Sequence, residues 1–217
     1  MAKSAVDIAV QVAALSGQER LLLIAPGTHS KQWFPELLRT FSAHPCVALE
    51  VDNECLQRLR NQSEAATHSN HQAVLGRATR LPFKKHSFDI IFSFQSLYSI
   101  RPHWTVLAEF HRVLVPAGKL ILFEPTRHGL LSALRDKLSG PGKRIFSIDE
   151  IKYRVARSDY QIDHIVEEIQ VDRFPWPAYC VSAIKVENPA EPVPQFMTTK
   201  EMLERRKNKF PTGEQLP

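Results

Sequence analysis

Four short runs in this chain are apolar at nearly every position: Arg20 to Ile24, Cys46 to Val51, Phe88 to Phe94 and Lys119 to Glu124. A strand with one wet face alternates apolar and polar residues, so Arg20 to Ile24 and Phe88 to Phe94 read as strands covered on both faces, and the other two runs read as further strands. Stretches of helical periodicity lie between them. Ser4 is placed to cap a first helix whose Ala5, Ile8, Ala9 and Val12 share a face and which Gly17 ends. Trp33, Phe34, Leu37, Leu38 and Phe41 form the apolar face of a second helix, with Pro35 confined to its first turn. Asn53 to Arg60 predicts a third, with Leu56 and Leu59 inward, followed by the polar segment QSEAATHSNH and a short strand around Ala73 to Gly76. Pro102 to Leu114 predicts another, with Leu107, Phe110, His111 and Leu114 on one side. Strands and helices in alternation, joined by short connections, dictate a doubly wound α/β domain with a mostly parallel sheet.

The alternation ends near residue 147. Ser147 caps a helix through Arg157, and Gln161 to Val171 and Tyr179 to Val186 then read as two strands joined by DRFPWP. With no helix between them, they predict an antiparallel hairpin at one edge of the sheet. NPAEPVPQ follows as an extended linker, then a charged tail from Thr199.

At 217 residues, with 43% apolar and 24% charged side chains, the chain suits one domain better than two. Its amino terminus lacks the unbroken apolar stretch of a signal peptide or membrane span. Cys46, Cys55 and Cys180 match neither a disulfide framework nor a zinc pattern and read as free thiols, which points to a cytoplasmic protein. His68 and His71 lie in a polar connection without a carboxylate or cysteine at ligand spacing, so they read as solvent-facing, and no metal site is assigned. The net charge of +5 collects around Arg127 to Arg144 and in KEMLERRKNK. Nucleic acid is compatible with these runs but not indicated by them.

In an open parallel sheet, ligands bind beyond the carboxyl ends of the strands where strand order reverses. The loops that matter are APGTHS, EVDN and SFQS. Glu50 ends the second strand, where a carboxylate can accept both hydrogen bonds of a ribose diol, although Asp52 competes for that role.

Three stretches carry a family resemblance: CVALEVDNECLQRLR, GRATRLPFKKHSFDIIFSFQSLYSI and LAEFHRVLVPAGKLILFEP. From Arg20 to Pro125 the chain resembles the class I S-adenosylmethionine-dependent methyltransferases, particularly their small-molecule and quinone-pathway C-methyltransferase subgroup. The resemblance implies a Rossmann-like sheet closed by an antiparallel hairpin, a domain over residues 1–187 and an appended tail over 188–217. It also implies S-adenosylmethionine as cofactor, a small-molecule acceptor, and Ala25, Gly27, Thr28, Glu50, Val51, Arg77, Ala78 and Phe94 as cofactor-binding positions. Leu81, Pro82 and Phe83 would fix the loop on the adenine side, Phe88 would anchor the fourth strand, and Asp89 would order structure rather than do chemistry. Pro116 and Gly118 form a turn whose glycine suits a positive φ.

The sequence departs from the family after the first strand. Leu23 stands where the family places an acid, and Ala25, Gly27 and His29 stand where it places three glycines. Arg77, a donor only, replaces an aspartate that contacts the adenine amine. Two functions follow from the resemblance with these departures: an active methyltransferase, with Gln95, Ser96 and Tyr98 lining the donor and acceptor side and Tyr98 or His103 as candidate base, or a methyltransferase-like scaffold that no longer methylates. For the scaffold, Phe174, Trp176 and Tyr179 are the expected exposed partner surface. TRHGLLSALRDKLSGPGKR is expected to cover the site as an amphipathic lid or to touch an anionic membrane surface.

Overall fold

The computed structural model describes residues 5–24, 36–65, 70–126, 145–169 and 178–187. In chain order the elements are α1 (Ala5–Ala13), β1 (Leu21–Ile24), β2 (Cys46–Glu50), α2 (Asn53–Ala65), β3 (His71–Leu75), β4 (Phe88–Phe94), α3 (Ser96–Ser99), α4 (His103–Val113), β5 (Leu114–Pro125), α5 (Ile148–Ala156), β6 (Tyr160–Ile169) and β7 (Ala178–Lys185). Residues 36–40 are also helical.

Seven strands form one sheet in the order β3-β2-β1-β4-β5-β7-β6. β3, β2, β1, β4 and β5 run parallel to one another, and β7 runs antiparallel to both β5 and β6. The expected doubly wound sheet and hairpin are therefore present, with β7 inserted between β5 and β6. All four β1 residues are buried, as an unbroken apolar run requires.

Alternate strand residues feed two cores. Leu21, Leu23, Ala48, Phe92, Phe94, Ile121 and Phe123 pack on one face against α1 and Leu37, Leu38 and Phe41. Leu22, Ile24, Ile91, Leu120, Leu122 and Val181 pack on the other against α4 and α5. α1 carries no basic residue in its last turn, and Lys119 supplies one from β5, donating to the Val12 and Ala13 carbonyls at 3.0 and 3.3 Å.

Several boundaries differ from expectation. α1 ends at Ala13 rather than Gly17, and α2 extends to Ala65, into the segment read as a polar connection. Gln62, Glu64 and Ala65 are good helix formers, so polarity alone did not end the helix. β3 starts at His71, and His71 is buried rather than solvent-facing: its Nε2 lies 3.3 Å from the Phe41 carbonyl, because the strand start packs on residues 36–41. The positive φ of the 116–118 turn falls on Ala117 (57°), not on Gly118. Gly118 is needed for a different reason, since a Cβ there would sit 2.8 Å from the Val115 carbonyl oxygen. Tyr179 is wholly buried in β7, opposite Glu124, so it cannot belong to an exposed surface. Ser147 caps α5 in a reciprocal capping box with Glu150.

Candidate active site

Strand order reverses at β1, which lies between β2 and β4, and the crevice is expected at the carboxyl end of that boundary. β2 brings Glu50 to this end, only 1% exposed. The neighbouring strand keeps register with it, Glu50 opposite Leu75, and the Glu50 carbonyl accepts from Gly76 N–H at 2.7 Å. Beside this buried carboxylate, Val51 and Leu75 are large apolar residues left 51% and 47% exposed. They form an apolar rim next to an acidic floor. Leu75 had no sequence signal to distinguish it, because its exposure depends on β3 being an edge strand.

Asp52, the competitor of Glu50, has other work. Its Oδ1 accepts from Cys55 N–H at 2.9 Å at the start of α2, and that bond holds its carboxyl below the ordinary range. The exposed Asp52 is thus a helix cap.

The 77–83 loop is clamped from beneath by α4. Arg112 donates to the Phe83 carbonyl at 2.7 Å and the Leu81 carbonyl at 3.1 Å while its Nε and Nη2 meet the Glu109 carboxylate at 2.8 Å each. Glu109 Oε2 also accepts from Leu81 N–H at 2.6 Å. Hydrogen bonding from Arg112, followed by that from Leu81, holds the Glu109 carboxyl below the ordinary range. Glu109 was not singled out from the sequence. Phe83 meets Phe88 edge-on at 4.9 Å, which ties the loop to the start of β4. Ala78 is buried within this loop, and Arg77 is exposed beside it.

Asp89 is structural. Its carboxylate binds the Arg20 backbone N–H at 2.8 Å and the Arg20 guanidinium at 2.9 and 3.1 Å, tying the starts of β1 and β4 at the opposite end of the sheet from the crevice. Leu23 is wholly buried in an apolar cluster with Phe92 and Phe94, and Phe94 stacks on Phe123 at 4.8 Å. His103 meets Phe146 edge-on at 4.7 Å, and Arg154 lies 4.2 Å over the same ring. Ala25, Gly27, Thr28 and His29 lie outside the described residues, as do His68, Phe174, Trp176, the 127–144 segment and the tail from residue 188.

Beyond β4 the backbone turns sharply. Gln95 is 3% exposed with φ 53° and ψ 28°, and α3 follows it at once. From the end of β5, buried Glu124 reaches this turn, its Oε1 accepting from Leu97 N–H at 2.9 Å and its Oε2 from Tyr98 N–H at 3.0 Å. Burial pushes the Glu124 carboxyl up to about 8, against the pull of these N–H groups. Glu124, like Leu75 and Glu109, was not marked as part of the site by the sequence reading.

Among known proteins, residues 25–122 match the family described as a methyltransferase domain. An 85-residue stretch is 31% identical to the demethylmenaquinone methyltransferase of Lactococcus lactis, covering 39% of this chain and 33% of that protein. The match thus spans about a third of the length of the curated relatives. The solved structure of the cyclase SpnF superposes with a TM-score of 0.69 at 16% identity, over 84% of this chain and 80% of that one. A SAM-dependent methyltransferase from Aquifex aeolicus superposes with a TM-score of 0.66 at 18% identity, over 84% of this chain and 90% of that one. Identities this low establish the shared fold, and a fold by itself does not fix a reaction.

Proposed function

We propose that this chain, whose residues 25–122 match a methyltransferase domain family, is a class I S-adenosylmethionine-dependent methyltransferase that transfers a methyl group from S-adenosylmethionine to a small-molecule acceptor. The observation that carries the reading is Glu50, a buried carboxylate at the end of β2 beside the strand reversal, bordered by exposed Val51 and Leu75.

The residues present fit the cofactor at its nucleoside end. Glu50 offers two acceptor oxygens suited to a ribose diol, and the Val51 and Leu75 rim suits the flat face of a base. The 81–83 loop, held by Arg112 and Glu109, supplies a fixed wall with buried Ala78 behind it. When bound, the cofactor supplies an electrophilic methyl on its sulfonium. The chain's task is then to hold the acceptor in line and keep water out. The turn at 95–99 borders that space, with Gln95, Ser96 and Tyr98 upon it.

The amino-acid end fits less well. Leu23 brings no charge and lies in the core, so it cannot pair with a cofactor ammonium, and Arg77 offers only donors. This departure favours, as a second reading, a methyltransferase-like protein that binds without methylating. Residues 1–187 are taken as the domain and 188–217 as an appended tail. Three buried free cysteines support a reducing, cytoplasmic setting.

Calorimetric titration with S-adenosylmethionine tests the reading. Binding is expected, and Glu50→Ala should weaken it at least tenfold, equivalent to about 1.4 kcal/mol. An absence of binding at millimolar ligand overturns the cofactor assignment, while binding without transfer to any quinone-like or other small acceptor favours the second reading.

A further inference from the structure

The connection between β3 and β4 carries charge that its surroundings leave unbalanced. No acidic residue stands between Glu64 and Asp89, while Arg77, Arg80, Lys84 and Lys85 bring four positive charges. All four are exposed, whereas Ala78 and Leu81 between them are buried in the core that faces α4. The acids around the segment are committed elsewhere. Asp89 is held by Arg20, and Glu109 binds Arg112 and the Leu81 N–H, with Arg80 adding to its field without an ion pair. Glu187 lies 3.5 Å from the buried Lys185 ammonium and 3.6 Å from His86. Among the described residues, none of Arg77, Arg80, Lys84 and Lys85 forms an ion pair. Arg77 and Arg80 even stand opposite one another in an antiparallel bridge, with Arg80 N–H donating to the Arg77 carbonyl at 2.9 Å. Like charges so placed cost stability where no anion joins them.

The segment is also fixed along its length. Gly76 N–H donates to the Glu50 carbonyl at 2.7 Å, at the crevice end of the sheet. Glu109 and Arg112 hold residues 81–83 midway. His86 and Ser87 N–H then donate to the Arg112 and Val113 carbonyls at 3.1 and 2.7 Å, at the opposite end, where α4 finishes and β4 begins. The four cations are therefore spread down the height of the sheet, about 20 Å for a seven-residue strand. A fixed row of this kind suits a linear anion, and one phosphodiester strand of a duplex places about six charges over that length. A membrane surface or an acidic protein would also ask for apolar anchors, and from residue 77 to 86 the exposed apolar residue is Pro82 alone. No exposed aromatic ring stands there to stack on the bases of a single strand.

We propose that residues 77–86 form a binding face for the phosphate backbone of a nucleic-acid duplex, with Arg80, Lys84 and Lys85 as phosphate contacts. This partner is additional to the methyl acceptor, and its binding does not depend on the S-adenosylmethionine reading. The face is separate from the basic runs at Arg127 to Arg144 and KEMLERRKNK. Because it offers charge rather than base contacts, it binds without sequence preference and yields to salt.

Fluorescence anisotropy of a labelled DNA duplex of about 20 base pairs, titrated with the full chain from about 50 to 200 mM KCl, tests the proposal. The parent should bind, with affinity falling steeply as salt rises. The triple variant Arg80→Gln, Lys84→Gln, Lys85→Gln should lose at least tenfold in affinity at low salt, and its slope of log affinity against log salt should be shallower by about 2.7. Its urea midpoint and its affinity for S-adenosylmethionine should match the parent's, since these side chains hold no ion pair. Arg80→Lys with Lys84→Arg and Lys85→Arg keeps the charge and should keep the affinity, which guards against a loss caused by misfolding. Arg205→Gln, Arg206→Gln, Lys207→Gln removes the same charge from the tail and should change the slope less. A loop-neutralised variant with parental affinity and slope overturns the proposal, as do equal losses in the loop and tail variants. A parent that binds phosphatidylserine vesicles but no duplex overturns it in favour of a membrane surface, and a parent that binds neither overturns it outright.

Discussion

Arg112→Ala is the substitution whose consequence the structure specifies most fully. The guanidinium makes four hydrogen bonds, two to Glu109 and two to the Leu81 and Phe83 carbonyls. The side chains of Arg112 and Glu109 are 37% and 18% exposed, so their ion pair is partly screened and contributes about 0.5–1 kcal/mol. Each carbonyl left without its donor costs about 1 kcal/mol more. The expected loss is therefore about 2–3 kcal/mol, read as a fall in the urea midpoint at unchanged slope. Arg112→Lys should recover less than half of it, because an ammonium cannot span Glu109 and two carbonyls in one plane. The difference between parent and variant should also depend on pH. Glu109 is held below its ordinary range, so the stability it gains from Arg112 is present above its unfolded-state value and is lost as pH falls through the lower folded value. A loss under 1 kcal/mol, or full recovery by lysine, refutes the view that this pair holds the 81–83 loop.

Other predictions follow from single sites. Gly118→Ala drives a methyl group against the Val115 and Asp89 carbonyl oxygens, at 2.8 and 3.1 Å, and should cost about 2 kcal/mol, whereas Ala117→Gly relieves a φ of 57° and should stabilise by about 1 kcal/mol in the same denaturation assay. Ser147→Ala removes the capping box of α5 and should cost about 1 kcal/mol, with exchange speeding first at Glu150 N–H. Glu124 is raised above its unfolded-state value, so its contribution is fully present below that value and is lost as pH rises toward about 8. Against the Glu124→Gln variant, the parent should lose up to about 1.4 kcal/mol per pH unit across that window, and parallel curves for the two proteins would contradict the raised carboxyl.

The parallel sheet was legible because the buried centre of a strand covered on both faces must be apolar, and β1, residues 46–49 of β2, 90–92 of β4 and 120–123 of β5 are. Glu50 was legible for a related reason: a carboxylate closing such a run stands out against it. Glu109, Glu124 and Leu75 were not. Glu109 and Glu124 act on partners 26 to 28 residues away, so nothing in their own neighbourhoods marks them. Leu75 gains its exposure only from the position of β3 at the sheet edge. α2 outran its predicted end because hydrophilic residues with high helix propensity look like a connection when periodicity is the only guide. Ala117 took the left-handed conformation assigned to Gly118, because at that turn the crowding of backbone oxygens, rather than torsional freedom, selects the glycine.

The insertion of β7 between β5 and β6 sets a condition on the nascent chain. β5 can pair with β4 as soon as residue 125 has emerged, but its other edge, carrying Leu120, Ile121, Leu122 and Phe123, has no partner until residues 178–185 arrive. β6 cannot shield that edge in the interval, because its own place in the sheet exists only beside β7. For some fifty residues of synthesis an apolar strand edge stands open, the kind of edge that recruits other chains. A ribosome stalled or a message truncated within that span releases a species prone to aggregate.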